Sequence, residues 1–132
     1  MIRIPKSIFN EIVKHAKKEL PLECCGILVG KGDTVEKVFD LENAERSPIR
    51  YSISPQEQMR VYEEMEKGAM EMVAIYHSHP ETIPFPSETD VKFALYPEVT
   101  SIIISLKENE PIAKAFRIKK EAIYLEEMEI LA

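Results

Sequence analysis

The run "EMVAIYHSHP", residues 71–80, constrains the fold more than any other stretch of the 132-residue chain. Met72 to Tyr76 are apolar or aromatic without a break, the pattern of a strand covered on both faces and therefore placed inside a sheet. Pro80 cannot donate to a ladder, so the strand ends there. Side chains two apart on a strand project to one side, which turns His77 and His79 the same way and Ser78 the other. Two imidazoles at the mouth of a buried strand can reach one ion.

The surrounding sequence supplies the other elements. Residues 1–5 read as a short strand, and Ser7 is placed to cap a helix over 8–20, where Ile8, Ile12, Ala16 and Leu20 recur at helical spacing until Pro21 stops it. His15 falls among lysines and is expected to face solvent. "CCGILVG", "KGD" and "TVEKVFDL" predict a hairpin turning at Gly32-Asp33. A polar loop with Pro48 follows, then "YSIS" as a brief strand. Ser54-Pro55-Gln56-Glu57 is a capping box with proline at the first helical position, opening a helix to about Gly68 whose Met59, Tyr62 and Met65 read as core. A helix starts at Ser87 and closes at Pro97. "TSIIISL", "PIAKAFRIKK" and "AIYLEEMEI" read as three final strands, the first two joined by a turn over Lys107 to Glu110. Interleaved strands and helices predict an α/β fold, a mixed central sheet flanked by helices in a single domain over 1–132. The last two strands are candidates for an open edge that pairs with a substrate tail or with a second copy in a homodimer.

The histidine pair has a third partner in the chain. Seven residues connect His79 to Ser87, so the strand end and the next helix start are neighbours, and Asp90 lies one turn into that helix. Two histidines and one carboxylate leave a fourth tetrahedral position for water, the pattern of a catalytic rather than a structural zinc. Ser87-x-x-Asp90 also reads as a helix capping box, and both readings hold together.

Other chemistries fit less of the chain. His79-Pro80-Glu81 matches the His-x-Glu of a zinc deaminase, but that site needs a later Pro-Cys-x-x-Cys and no cysteine follows Cys25. Cys24 and Cys25 are adjacent, so on a strand they face opposite sides and chelate poorly with the histidines. A cysteine nucleophile would leave Ser87 and Asp90 unexplained. We expect one cysteine in the core and the other packed behind the site, and an adjacent pair that closes no loop agrees with a reducing, cytoplasmic setting. The 23 acidic residues against 17 basic give a net charge of −6, with no Lys/Arg cluster flanked by aromatics, so a nucleic-acid partner is not expected. No window approaches the roughly 18 apolar residues of a membrane span.

Glu23 in "PLECCGILVG", "HSHP", seven residues to Ser87, and "SETD" together resemble the JAMM motif of the Mov34/MPN/PAD-1 metalloprotease family, and the order of elements is similar over nearly the whole chain. The resemblance implies an MPN/JAB-like fold with cytidine-deaminase-like layering. It implies one zinc per chain held by His77, His79 and Asp90, with Glu23 as general base and Ser87 as hydrogen-bond donor to the oxyanion. It also implies cleavage of peptide or isopeptide bonds after the C-terminal diglycine of a ubiquitin-like modifier or sulfur-carrier protein. The groove wall is expected from 81–86 and 43–52. Some relatives of this fold are non-catalytic scaffolds that lack metal ligands; none of the ligands is missing here.

Overall fold

The apolar run becomes strand β4 (Glu71–His79) and lies inside a sheet, as its content requires. The structure is a computed structural model that describes residues 1–94 and 96–132. Before β4 the chain forms β1 (Ile2–Pro5), α1 (Lys6–Lys18), the hairpin β2 (Cys25–Lys31) and β3 (Thr34–Leu41), and α2 (Pro55–Gly68). After it come α3 (Glu88–Lys92), β5 (Thr100–Ser105), β6 (Ile112–Lys119), β7 (Ala122–Glu126) and β8 (Met128–Leu131). The strands order as β7-β6-β5-β4-β2-β3-β1-β8. β4 runs antiparallel to β2 and parallel to β5, so the connection carrying α3 is a crossover that leaves β4 at its carboxyl end.

Alternation along β4 divides the core between two faces. Ala74 and Tyr76 pack with Ile8, Ile12 and Ala16 of α1 and with Leu28, Ile102 and Ile104. Ile75 packs with Ile27, Val29 and Phe39 and with Val61 of α2. Each such side chain, fully buried, contributes roughly 1.5–3 kcal/mol, so both helices are held by their apolar stripes rather than by propensity. The period of two assigns His77 and His79 to the α2 face. Among the described residues no helix is long and apolar enough to cross a membrane.

Several expectations need correction. α1 begins at Lys6 with extended Pro5 as its cap residue and no side-chain cap, so Ser7 sits inside the first turn; β1 runs straight into the helix and leaves no room for a capping loop. His15 is not solvent-facing: it flanks the Ile8–Ile12 stripe, and its Nδ1 lies 2.7 Å from the hydroxyl of Tyr76, which donates to Asp40 at 2.6 Å. "YSIS" is not a strand. In α2 the inward line is Val61 and Met65, so Met59 and Tyr62, two residues before Val61 and one after it, are exposed. α3 ends at Lys92, since it has no buried apolar stripe to extend it and is held at its start by its cap and by the contacts of Asp90; Leu95, within the stretch expected to be helical, lies outside the described residues.

"AIYLEEMEI" is two strands rather than one. β7 pairs with β6, and β8 pairs in parallel with β1 at the opposite end of the strand order. Only Glu127 separates them, so the sheet curls until its two ends meet. The neighbouring Glu126 takes hydrogen bonds from Arg117 Nε of β6 at 2.7 Å and Thr100 Oγ1 of β5 at 3.0 Å, which anchors the end of β7 to its own side of the sheet. β6 is covered on both sides and is not an edge.

Between β3 and α2 the chain has no regular ladder, and Asn43 organises it. Its Nδ2 donates to the carbonyls of Glu23 (3.0 Å), Ser47 (3.3 Å) and Arg50 (3.0 Å), while its Oδ1 accepts from the N–H of Glu45 (2.9 Å) and Ser52 (3.3 Å). Replacing the amide by Ala leaves these partners unpaired, at about 1–3 kcal/mol for each group that water cannot reach, of which the carbonyl of buried Glu23 is the clearest. We predict that Asn43→Asp lowers the unfolding midpoint at least as much as Asn43→Ala despite its shape, because a carboxylate would face three carbonyl oxygens; thermal denaturation of both variants checks this.

Candidate active site

β4 delivers His77 and His79 to its end with rings on one face, and the loop through Pro80 and Pro86 returns the chain so that Asp90 of α3 meets them. The three atoms that converge are His77 Nε2, His79 Nε2 and Asp90 Oδ2, separated by 3.2, 3.2 and 3.0 Å. Ligand atoms of a tetrahedral zinc stand roughly 3.3 Å apart, given bonds of about 2.0–2.1 Å, so the triangle has the size such an ion needs. It is the one group of three or more His, Cys, Asp or Glu side chains found close enough to hold a metal among the described residues.

The surrounding contacts prepare these atoms. His79 Nδ1 lies 2.9 Å from the carbonyl of Ile83, which keeps the proton on Nδ1 and leaves Nε2 with its lone pair toward the centre. Ser87 and Asp90 form the expected capping box: Asp90 N–H donates to Ser87 Oγ at 3.0 Å, and Ser87 N–H donates to Asp90 Oδ2 at 2.9 Å. The cap therefore locks the carboxylate against the histidines. All three side chains are nearly shut off from solvent.

Glu23 arrives through sheet register. β2 and β4 pair Cys25 with His77, and the pairing continues past the ladder, with Ser78 N–H donating to the carbonyl of Cys24 at 3.1 Å and Cys24 N–H donating to Ser78 Oγ at 2.8 Å. Two residues beyond Cys25, Glu23 comes level with His79 on the same face. It is 3% exposed, and its Oε1 has no hydrogen-bond partner. Cys24 packs in the α1 core and Cys25 in the α2 core, where its thiol donates to the carbonyl of Glu42, so neither joins the triangle.

The charges show what the cluster lacks. Burial pushes the Glu23 carboxyl up to about 8, further than His79 pulls it down, with Asp90 adding to the rise. Burial also lowers the affinity of His77 for a proton. Burial would raise Asp90 too, yet hydrogen bonds from both histidines hold it well below the usual carboxylate range. Against its own burial, His79 is raised by Asp90 and by the Ile83 carbonyl. Three lone-pair donors packed this closely repel one another unless positive charge lies between them. In the bare protein a proton between an imidazole nitrogen and Asp90 Oδ2 relieves this, and a divalent cation fits the same place with a donor set of two nitrogens and one oxygen suited to zinc.

A cavity of about 380 Å³ opens beside His77 and Asp90, lined by Tyr51, Ile53, Tyr62, Phe93 and Tyr96 among others. The 43–52 segment supplies part of its wall, as expected. The 81–86 loop does not: Ile83, Pro84 and Phe85 line a second hollow, with Phe116, Ile123 and Leu125. Two residues near the centre escape a motif search. Asn43 holds the Glu23 backbone, and Tyr51 stacks on His77 with ring centroids 4.5 Å apart. Their only signal in the sequence is placement in a polar loop between Glu23 and the histidines.

Residues 5–119 match the prokaryotic homologs of the JAB domain. The chain is 34% identical over 131 residues to the CysO-cysteine peptidase of Mycobacterium tuberculosis, covering 97% of this chain and 90% of that protein. It is 34% identical over 103 residues to the desampylase of Haloferax volcanii, covering 73% of this chain and 74% of that one. Its structure is similar to the solution structure of a protein from Desulfitobacterium hafniense, with a TM-score of 0.91 and 38% identity over 99% of this chain and 93% of that one. Matched over most of its length by sequence and by fold, this chain belongs to the prokaryotic JAB-domain family.

Proposed function

We propose that this chain is a zinc-dependent peptidase that cuts after the C-terminal diglycine of a ubiquitin-like modifier or sulfur-carrier protein. The observation that carries the reading is the convergence of His77, His79 and Asp90 to within 3.2 Å beside the buried, unpaired carboxyl of Glu23. Relatives called a CysO-cysteine peptidase and a desampylase support a peptidase acting on a small carrier protein. The complete ligand set favours a working enzyme over a non-catalytic scaffold.

His77, His79 and Asp90 would hold the ion. When bound, zinc supplies Lewis acidity that polarises the scissile carbonyl and makes water easier to deprotonate. Glu23 takes the proton from the attacking water and returns it to the departing amine. Its raised proton affinity suits both halves of that task, since a base near neutral can also act as the acid. Ser87 Oγ accepts from Asp90 N–H, which leaves its own hydroxyl proton free to donate to the oxyanion. A tail ending in two glycines carries no side chains there and would lie beside the centre as an added extended strand.

The experiment is a comparison of Glu23→Gln with the parent. The variant is expected to retain about one zinc per chain while hydrolysis of a diglycine-tailed fusion falls by roughly 10²- to 10⁴-fold; undiminished turnover would remove Glu23 from the reaction, and undiminished turnover of chelator-treated parent would remove the metal. Asp90→Asn is expected to weaken zinc binding by more than the roughly 10- to 100-fold that loss of an outer hydrogen-bond partner costs, read by competition with a chromophoric chelator.

Glu23 also sets a pH dependence in the metal-free protein. Its pKa is about 8 folded against an ordinary 4.5, so between those values the native state binds more protons than the unfolded one. Stability then falls as pH rises through that window and levels off above it. Thermal melts in chelator should show Glu23→Gln gaining on the parent from pH 4.5 to 8, with no further gain beyond; parallel profiles would show that Glu23 ionises at its ordinary pH.

A further inference from the structure

The two imidazoles of the centre are held differently. His79 is fixed by the bond from its Nδ1 to the Ile83 carbonyl at 2.9 Å. His77 is just as buried, at 1% exposure, and its Nδ1 has no hydrogen-bond partner. A ligating histidine ordinarily uses that second nitrogen to set its ring plane. Without such a bond, rotation about Cβ–Cγ of His77 is opposed by the contacts of its Nε2 with His79 and Asp90 at the centre and by what packs on the ring.

His79 meets that ring edge-on, with centroids 5.0 Å apart, and its face is covered by Tyr51, with centroids 4.5 Å apart and planes inclined by 25°. That offset-stacked geometry is attractive in its own right, and an imidazole rotated out of plane would strike the phenol face. The backbone on either side of Tyr51 is fixed by one amide. The Arg50 carbonyl accepts from Asn43 Nδ2 at 3.0 Å, Ser52 N–H donates to Asn43 Oδ1 at 3.3 Å, and Ala44 N–H donates to the Ser52 carbonyl at 2.9 Å. The residues on both sides of Tyr51 are thereby tied to Asn43 and Ala44.

We propose that Tyr51 is the positioning residue for His77: its ring face, held in place through Asn43, substitutes for the hydrogen bond that Nδ1 lacks and keeps Nε2 aimed at the point shared with His79 and Asp90. The inference rests on the metal-centre reading above. It makes the aromatic face the functional part and the hydroxyl dispensable.

The test measures zinc affinity of the metal-free protein by competition with a chromophoric chelator, for the parent and for Tyr51→Phe, Tyr51→Leu and Tyr51→Met, with Asp90→Asn as control. Tyr51→Phe should bind within about twofold of the parent, and Tyr51→Leu should bind about 10- to 100-fold more weakly, as when a ligand loses its outer support. Tyr51→Met keeps much of the apolar bulk without a flat face and serves if Tyr51→Leu does not fold. The cobalt-loaded forms give a second reading, since a loosened His77 changes the visible ligand-field bands. Parent affinity in the Leu and Met variants, whatever their melting temperatures, would reduce Tyr51 to packing and overturn the proposal. Equal weakening in Tyr51→Phe would also overturn it by assigning the effect to the hydroxyl. If Asp90→Asn binds zinc as tightly as the parent, the metal-centre reading fails first.

Discussion

The site depends on the antiparallel contact between the start of β2 and the end of β4. Cys25 stands opposite His77, and the two hydrogen bonds between Cys24 and Ser78 carry the pairing beyond the last ladder rung. A slip by one residue would turn Glu23 to the α1 face and abolish the juxtaposition with His79. Register is pinned because both faces are packed: Tyr76 is buried toward α1 and Ile75 toward α2, so neither can change sides without exposing apolar surface or stranding a phenol. Ser78, the residue between the two histidines, has a task of its own here. It faces away from the triangle and ties down the strand that leads in from Glu23.

The remaining geometry concentrates like-charged lone pairs where water cannot separate them. Asp90 is held by the cap at the start of α3, His79 by the Ile83 carbonyl, and Glu23 sits beside them with an unpaired oxygen. Left to itself, such a cluster works against folding, because buried charge without a partner is costly. The fold tolerates it because the two cores beneath are well filled and because a cation or proton at the centre removes the repulsion. A cluster destabilised when bare is the arrangement expected of a metal centre, in agreement with the function proposed above.

The loop over 43–52 links these parts without contributing a ligand. Through Asn43 it fastens the carbonyl of Glu23 and the backbone on both sides of Tyr51, and through Tyr51 it rests on His77. One side-chain amide therefore connects the carboxyl-bearing strand to the ring of a candidate ligand. Its cavity-facing residues also form part of the wall beside His77 and Asp90, so the segment that steadies the site borders that cavity as well.

The sequence by itself determined the elements whose cause is local: the buried strand ended by Pro80, the common face of His77 and His79, the hairpin after Cys25, the cap at Ser54, and the pair Ser87 and Asp90 brought near by a seven-residue connection. It also named Glu23, through a spacing that resembles a known motif. Tertiary structure decided what depends on distant partners. Whether 122–131 is one strand or two turned on β1 offering a free edge at the far end of the sheet, and whether Met59 or Val61 points inward turned on how α2 settles on Ile27 and Phe39. His15 left the solvent for a phenol 61 residues away, and Asn43 and Tyr51 acquired their roles from carbonyls and a ring brought close only by the completed fold. Periodicity and capping act within a few residues and can be read along the chain, whereas contacts across a sheet are set by register and curvature, which no single segment contains.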